Sequence, residues 1–235
     1  PHALVLAAVP EHARIIDLGC AGGYFGRALK ERRGARVTGV DIAPLACGIT
    51  LDDFILYDLD APDLPLDLGQ ADIVLMLDVL EHLKSPEEFI DRMHAKLGLH
   101  PQLRLLVSTG NIAFFISRVL HIFGIFNYGK KGILDITHTR LFTSKTLRRL
   151  FEQSGFNVVR QNNIPAPWPL VFGQGFIGRL LMRIHHSLCL IWPSLFAYQF
   201  LLELKPQPNL NYLLRAAYSI TAQKNGIPSE KRSEG

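Results

Sequence analysis

Residues 14–41, RIIDLGCAGGYFGRALKERRGARVTGVD, constrain this chain more than any other stretch. An apolar run, Ile15 and Ile16, ends in Asp17, and Gly19, Gly22 and Gly23 then supply a tight turn. Tyr24 to Arg33 reads as a helix, and Val37 to Val40 as a second apolar strand that delivers Asp41. Strand, glycine loop, helix, strand and acid, in that order, make half of a doubly wound α/β sheet with a ligand site at its edge. Glycine lets the loop backbone approach a ligand, because it has no Cβ and tolerates positive φ. The 22 residues from Gly19 to Asp41 span one strand–helix–strand crossover. They leave the Asp41 carboxylate where two ribose hydroxyls would donate to it.

Two ligand classes use such a layout. A dinucleotide requires G-x-G-x-x-G, with its pyrophosphate on the helix N-terminus. Here the glycines stand at 19, 22, 23 and 26, and Asp17 would repel a pyrophosphate. The same carboxylate suits the ammonium group of a methionine-like moiety. Asp17 to Gly23, DLGCAGG, resembles the first motif of class I S-adenosylmethionine-dependent methyltransferases, with Ala21 at one of the usual glycine positions. The resemblance implies a cofactor held by Asp17, Gly19, Cys20, Gly22, Asp41 and Ile42, with Leu77 and Asp78 at its edge. It also points to Asp58, after the third strand, as a partner for the adenine amino group.

Length and charge bound the rest. The 235 residues suit one α/β domain, expected over 1–223, with insertions at 112–136 and 165–195 and a polar, disordered tail at 224–235. Cys20, Cys47 and Cys189 are odd in number and far apart, which fits a reducing cytosol and offers no metal-binding pair. Residues 1–10 lack the basic start and long apolar core of a signal peptide. The chain begins close to its first strand, so an N-terminal helix is expected to be missing. Residues 1–91 hold 16 acids against 7 Lys/Arg, whereas residues 92–235 hold 5 against 18. A basic, apolar second half points to an anionic partner, such as a membrane surface, or to a plain solvated face.

The remaining elements follow the same pattern. Pro44 to Gly48 has room for a short helix only, and Phe54 to Tyr57 is the third strand. Ala71 to Leu77 is a continuous apolar run, as in a buried parallel strand. Ser85-Pro86-Glu87-Glu88 starts a helix whose apolar face is Phe89, Met93 and Leu97. Leu103 to Val107 is a fifth strand, and Thr143 to Ser154 a helix stopped by Gly155. Phe156 to Arg160 and Ala197 to Leu204 would close a seven-stranded, mostly parallel, Rossmann-like sheet as an antiparallel pair.

The chemistry is expected in Asp78-Val79-Leu80-Glu81-His82-Leu83, directly after the fourth strand. If a helix starts there, Asp78, Glu81 and His82 share one face, ready to hold a divalent cation or a general base. The plainer alternative is a helix start with capping acids. A second cluster, GILDITHTRLFT at 132–143, contributes His138. Together with Ser108 to Asn111 and Gly124 to Tyr128, these stretches resemble a bacterial class I methyltransferase group often linked to glycosyltransferases and surface polysaccharides. Thr109-Gly110-Asn111 departs from that group, where Pro often precedes Asn. Ubiquinone-pathway O-methyltransferases and small-RNA 2′-O-methyltransferases carry a related acid-x-x-Glu-His. That wider resemblance implies a metal set of Asp78, Glu81, His82 and His138, binding Mg²⁺ or another divalent cation. Without metal, His82 or His138, with Glu81 beside them, would be the catalytic groups.

Both insertions are apolar. Ile112 to Phe126 is expected to be a lid over the acceptor site. In the second, Ile177, Leu180, Leu181, Ile184, Leu188 and Ile191 form one stripe, with Arg179, Arg183 and His186 opposite. The stripe reads as core or lid packing, as an interfacial membrane helix, or as a dimer face; the charges exclude a transmembrane span. The function expected is O-methylation of a sugar or lipid-linked glycan hydroxyl by a cytoplasmic enzyme, peripheral on the inner membrane face. Rival readings are a quinone-like or isoprenoid lipid phenol as acceptor, and a cofactor-binding module without catalysis. Nucleic acid is not expected, because the basic half is too apolar for a phosphate-tracking groove.

Overall fold

The structure, a computed structural model, describes residues 1–63, 65–130, 132–168, 173, 175–214 and 217. The expected tail at 224–235 and the Ile177 side chain lie outside the described residues. Seven strands form one sheet: β1 (Arg14–Leu18), β2 (Arg36–Asp41), β3 (Asp53–Leu56), β4 (Ile73–Leu77), β5 (Arg104–Gly110), β6 (Phe156–Ile164) and β7 (Gln199–Pro206). Their spatial order is β3-β2-β1-β4-β5-β7-β6. Strands β1 to β5 run parallel, and β7 is antiparallel to both β5 and β6.

Alternation along the strands sorts the core onto two faces, because successive side chains of a strand point to opposite sides. Ile16, Leu18, Val74, Met76, Leu105 and Val107 pack on one face. There they meet Phe89, Ile90, Met93 and Leu97 of helix α3 (Pro86–Leu97) and Leu147 and Phe151 of α5 (Ser144–Gln153). Ile15, Val37, Ile73, Leu75 and Leu106 pack on the other. They meet Val5 of α1 (His2–Ala8) and Leu29 of α2 (Tyr24–Arg33). Helix α3 begins with proline in its first turn followed by Glu87 and Glu88, as the sequence led us to expect. Thr143 and Thr146 form a reciprocal capping box at the start of α5.

Four expectations need correction. An N-terminal helix is present: α1 precedes β1 and packs on α2 through Val5. Pro44 to Gly48 is a turn rather than a short helix, held by the Ala46 amide on the Gly22 carbonyl at 3.2 Å. No helix starts at Asp78; the backbone makes a single 3-10 turn, Leu80–His82, and Asp78 lies outside it in the left-handed region (φ 58°). The lid expectation also shifts. Helix α4 (Phe115–Ile122) does not border the acceptor-side cavity, and the part of that insertion that does is the later loop carrying Gly132, Ile133 and Asp135.

The second insertion forms α6 (Phe176–Ile191), and much of its apolar stripe is not packed in the core, against the first of the three readings of that stripe. Gly178, His185 and Cys189 face inward, while Leu180, Ile184 and Ile191 are exposed. The reason is polar: His185 is buried, accepts from Trp168 Nε1 at 2.6 Å through Nδ1, and donates through Nε2 to the Phe196 carbonyl at 2.7 Å. These two bonds fix the roll of the helix at the expense of its apolar stripe. Among the described residues, no helix is long and apolar enough to cross a membrane.

Candidate active site

The chain leaves β1 on one side towards β2 and returns to β4 on the other, so a crevice opens beyond the carboxyl ends of β1 and β4. Gly19, at the end of β1, has φ 73°, and a Cβ there would strike the Val79 side chain. Only glycine fits both the backbone angle and the approach of the two loops. Ala21, where glycine is usual in this motif, also sits left-handed at φ 48°. Asp41 fastens the loop, accepting from the Ala21 amide at 2.7 Å and the Ala43 amide at 2.9 Å.

These elements border a cleft of about 390 Å³ lined by Gly19, Ala21, Asp41, Ile42, Asp58 and Asp78, with Tyr57, Val79, His82 and Leu83 completing its walls. Asp58 is exposed, and its Oδ1 accepts from the Asp60 amide at 2.9 Å. Four residues expected at the cofactor stand behind the cleft. Asp17 is 3% exposed and pairs across β1 with Gly39 on β2 and Leu75 on β4. Burial, with the Asp41 charge adding to it, pushes its carboxyl up to about 7. Cys20 is buried, and burial raises its thiol to about 12, which makes it inert packing. Gly22 is a close-approach position, where a Cβ would lie 2.9 Å from the Tyr24 ring and 3.2 Å from Ala46. Leu77 packs on the α1–α2 face of the sheet.

A second cavity of about 300 Å³ adjoins the first, with Asp78 and His82 lining both. Glu81, Gly110, Ile133, Asp135, His138 and Tyr198 form much of the remaining wall. The structure brings Asp78, Glu81, His82 and His138 to this one cavity, but not as a metal cage. Among the described residues no three His, Cys, Asp or Glu side chains converge as ligands. Without the expected helix, the carboxylates and imidazoles diverge into separate contacts. Asp78 Oδ1 accepts from Ser108 Oγ at 2.7 Å and from Gln199 Nε2. Glu81 is 3% exposed and takes bonds from the Thr109 hydroxyl and the Gly110 amide, while its Oε2 has no partner. Burial, and secondarily Asp78, pushes its carboxyl up to about 7. The donor set does not fit a divalent cation, and no step is assigned to one.

The two imidazoles stand edge to face, ring centroids 4.8 Å apart. His138 Nδ1 lies 2.9 Å from the Ile133 carbonyl, which can only accept, so Nδ1 carries the proton and Nε2 the free lone pair. Thr137 Oγ1 donates to Asp135 Oδ1 at 2.7 Å. His82 Nδ1, 3.1 Å from the same oxygen and 3.3 Å from the Thr137 carbonyl, must therefore be the donor. Both histidines thus keep a basic Nε2. Asp135 and Thr137 escaped assignment in the sequence, although they sit beside His138, because their role depends on His82, 55 residues away for Thr137. Thr139 and Arg140 close the arrangement, their amides donating to the Glu81 carbonyl at 2.8 and 3.2 Å.

The fold and its glycine-loop crevice define a class I, S-adenosylmethionine-dependent methyltransferase architecture. The chain belongs to the methyltransferase-domain family, whose model, described as "Methyltransferase domain", matches residues 2–161. It is 36% identical over 92 residues to the ubiquinone biosynthesis O-methyltransferase of Pseudomonas aeruginosa (strain UCBPP-PA14), covering 34% of this chain and 38% of that protein. It is 32% identical over 108 residues to the mitochondrial enzyme of the same name from Schizosaccharomyces pombe, covering 41% and 37% respectively. The alignments thus span less than two fifths of the length of either relative. In fold it is similar to a SAM-dependent methyltransferase from Archaeoglobus fulgidus, with TM-score 0.55, 19% identity, and coverage of 87% of this chain and 94% of that one. It is also similar to 1,6-didemethyltoxoflavin-N1-methyltransferase from Burkholderia thailandensis, with TM-score 0.53, 16% identity, and coverage of 88% and 76%.

Proposed function

We propose that this chain methylates the hydroxyl oxygen of a small phenolic acceptor carrying an apolar tail, with His138 as general base. One observation carries the reading: two adjoining cavities share Asp78 and His82, one shaped by the glycine loop and the other presenting basic imidazole nitrogens. S-adenosylmethionine, the family's methyl donor, supplies a methyl group on a positively charged sulfur. The cleft is suited to hold it. Asp41 can take the ribose hydroxyls, Ile42 offers an apolar side chain 70% exposed for the adenine face, and Asp58 an acceptor for its amino group. Asp17 does not line the cleft and stands buried behind the loop, where burial favours its neutral form.

In the acceptor cavity, His138 Nε2 takes the hydroxyl proton as the oxygen attacks. With the donor bound, the acceptor oxygen would take its methyl group, leaving neutral S-adenosylhomocysteine, and the proton would rest on the His138 imidazole. His82, held by Thr137 and Asp135, borders both cavities and orients the acceptor oxygen. An imidazole removes the proton of a phenol far more readily than that of an alkyl alcohol, because a phenol, near 10, is much the stronger acid. That difference favours the phenolic acceptor, as does the likeness to ubiquinone-pathway O-methyltransferases. The second reading is a glycan hydroxyl, which the polar wall of Asp78, Glu81, Asp135 and Gln199 would suit.

The test is methyl transfer from labelled S-adenosylmethionine to a panel of tailed catechols and glycans. We expect methylated catechol, lost by a factor of about 10²–10⁴ in His138→Ala while S-adenosylhomocysteine binding is unchanged. Methylated glycan alone would install the second reading. Full turnover in His138→Ala would remove the base assignment.

A further inference from the structure

The two insertions share an outer surface that methyl transfer does not use. They form one layer: the Phe115 ring lies 5.7 Å from Phe196 and 6.3 Å from His185, and Phe114 lies 5.8 Å from His185. Asn111, fully buried, clamps them by donating to the carbonyls of Ala197 at 2.7 Å and Ser194 at 3.2 Å. Phe114 also stacks edge-on against Tyr198, a wall of the acceptor cavity, at 5.5 Å. The layer therefore backs directly onto the acceptor cavity.

Its outer side is unusually apolar. Ile122 and Phe123 at the end of α4 are 80% and 74% exposed, and Phe176 and Ile191 on α6 are 74% and 79% exposed. On α6 the exposed side chains divide into two adjoining stripes. Phe176, Leu180, Ile184 and Ile191 follow helical spacing along one, and Arg179, Arg183 and His186 along the next. Both stripes face solvent, because the third face, with His185 and Cys189, is the buried one. Acids are absent from the sequence between Arg92 and Leu134 and between Gln153 and Leu202.

We propose that this face docks on a lipid bilayer carrying anionic headgroups. The chemistry is specific to an interface: apolar side chains enter below the headgroups while guanidinium groups beside them meet phosphates. A second copy of the chain fits poorly, since it would set Arg179 and Arg183 against like charges, and Asp135, the one acid in the two insertions, is bonded to Thr137 in the wall of the acceptor cavity. Docking by this face does not depend on which acceptor is methylated.

The test is co-sedimentation of the full chain with vesicles of phosphatidylcholine alone and of phosphatidylcholine mixed with phosphatidylglycerol. Binding should require phosphatidylglycerol and weaken at high salt. Arg179→Gln with Arg183→Gln should weaken it roughly thirtyfold, at about fivefold per arginine. Ile122→Ser with Phe123→Ser should abolish it at low salt. S-adenosylhomocysteine binding and far-UV circular dichroism should match the parent in both variants; Arg179→Gln alone, fully on the surface, is the fallback if the apolar pair unfolds. Three results would overturn the proposal: no sedimentation with the anionic vesicles, equal binding by parent and variants, or a dimer in sedimentation velocity that Phe123→Ser and Ile184→Ser dissociate. None of these readouts involves methyl transfer, so the docking surface and the acceptor assignment fail separately.

Discussion

The two adjoining cavities are built by different means. The donor cleft is made largely of backbone: its shape comes from Gly19, Ala21 and the turn after β4, and its carboxylates lie at strand ends. The acceptor cavity is made of side chains from segments far apart in sequence, with His82, Ile133, His138 and Tyr198 meeting only after the sheet has formed. Backbone geometry tolerates almost no substitution, whereas a side-chain cavity can be retuned one residue at a time. The donor half should therefore resist change, and the acceptor half should adapt to new substrates.

The largest expected effect attacks the rigid side. Gly19→Ala would force an L side chain to φ 73° and into Val79. Urea unfolding should show a loss of about 3 kcal/mol, combining left-handed strain with overpacking. Calorimetry should find no S-adenosylhomocysteine binding. A Gly19→Ala protein that binds normally would erase the contrast between the two cavities.

A smaller effect separates the buried acids by pH. Asp17 and Glu81 are each pushed up to about 7 in the folded chain, against about 4 when unfolded. Between those values the folded state holds more protons, so their contribution to stability is complete below about pH 4 and lost as pH rises through about 7. Asp52 and Asp72, whose carboxyls are held low, act only below that window. The lowered imidazoles of His2 and His185 work in the opposite direction, so the informative quantity is the difference between variant and parent. Asp17→Asn should gain on the order of a few kcal/mol relative to the parent between pH 4.5 and 7.5, read by urea unfolding at each pH. An unchanged difference would mean that Asp17 is already compensated in the ligand-free protein.

The smallest effect belongs to the adaptable side. Thr137→Val removes the hydroxyl that joins His82 to Asp135. It should lower kcat about tenfold with little change in KM, and imidazole ¹⁵N shifts should show His82 redistributing between tautomers. Asp135→Asn should give a weaker form of the same result. Altered S-adenosylhomocysteine binding in either variant would place Thr137 in the donor cleft instead.

Legibility from the sequence followed the same division. The stretch from Asp17 to Asp41 could be read because each residue's role depends on neighbours within one crossover. The strand assignments held because short apolar runs such as Ala71 to Leu77 suit parallel strands covered on both faces. Asp17 and Cys20 were placed at the ligand because the motif records proximity along the chain and not which side of the loop a side chain takes. The metal set failed for a different reason. The resemblance carries residue types and spacing, whereas a shared face for Asp78, Glu81 and His82 needs a helix at Asp78, and φ 58° at that residue cannot start one. Of the readings left open for the α6 stripe, core packing gave way because one histidine with two buried hydrogen bonds outweighs the exposure of several leucines and isoleucines.

The sequence by itself determined the glycine loop, the acid at the end of β2, the order of strands and helices, and the acid-free second half, since these rest on local sterics and composition. Only the tertiary structure decided that His82 and His138 share a cavity with free Nε2 atoms, that four candidate ligands do not close around an ion, and that the apolar stripe of α6 faces outward. Those outcomes depend on which polar atoms find partners across tens of residues, and hydrogen-bond geometry of that kind exists only once the chain has closed on itself.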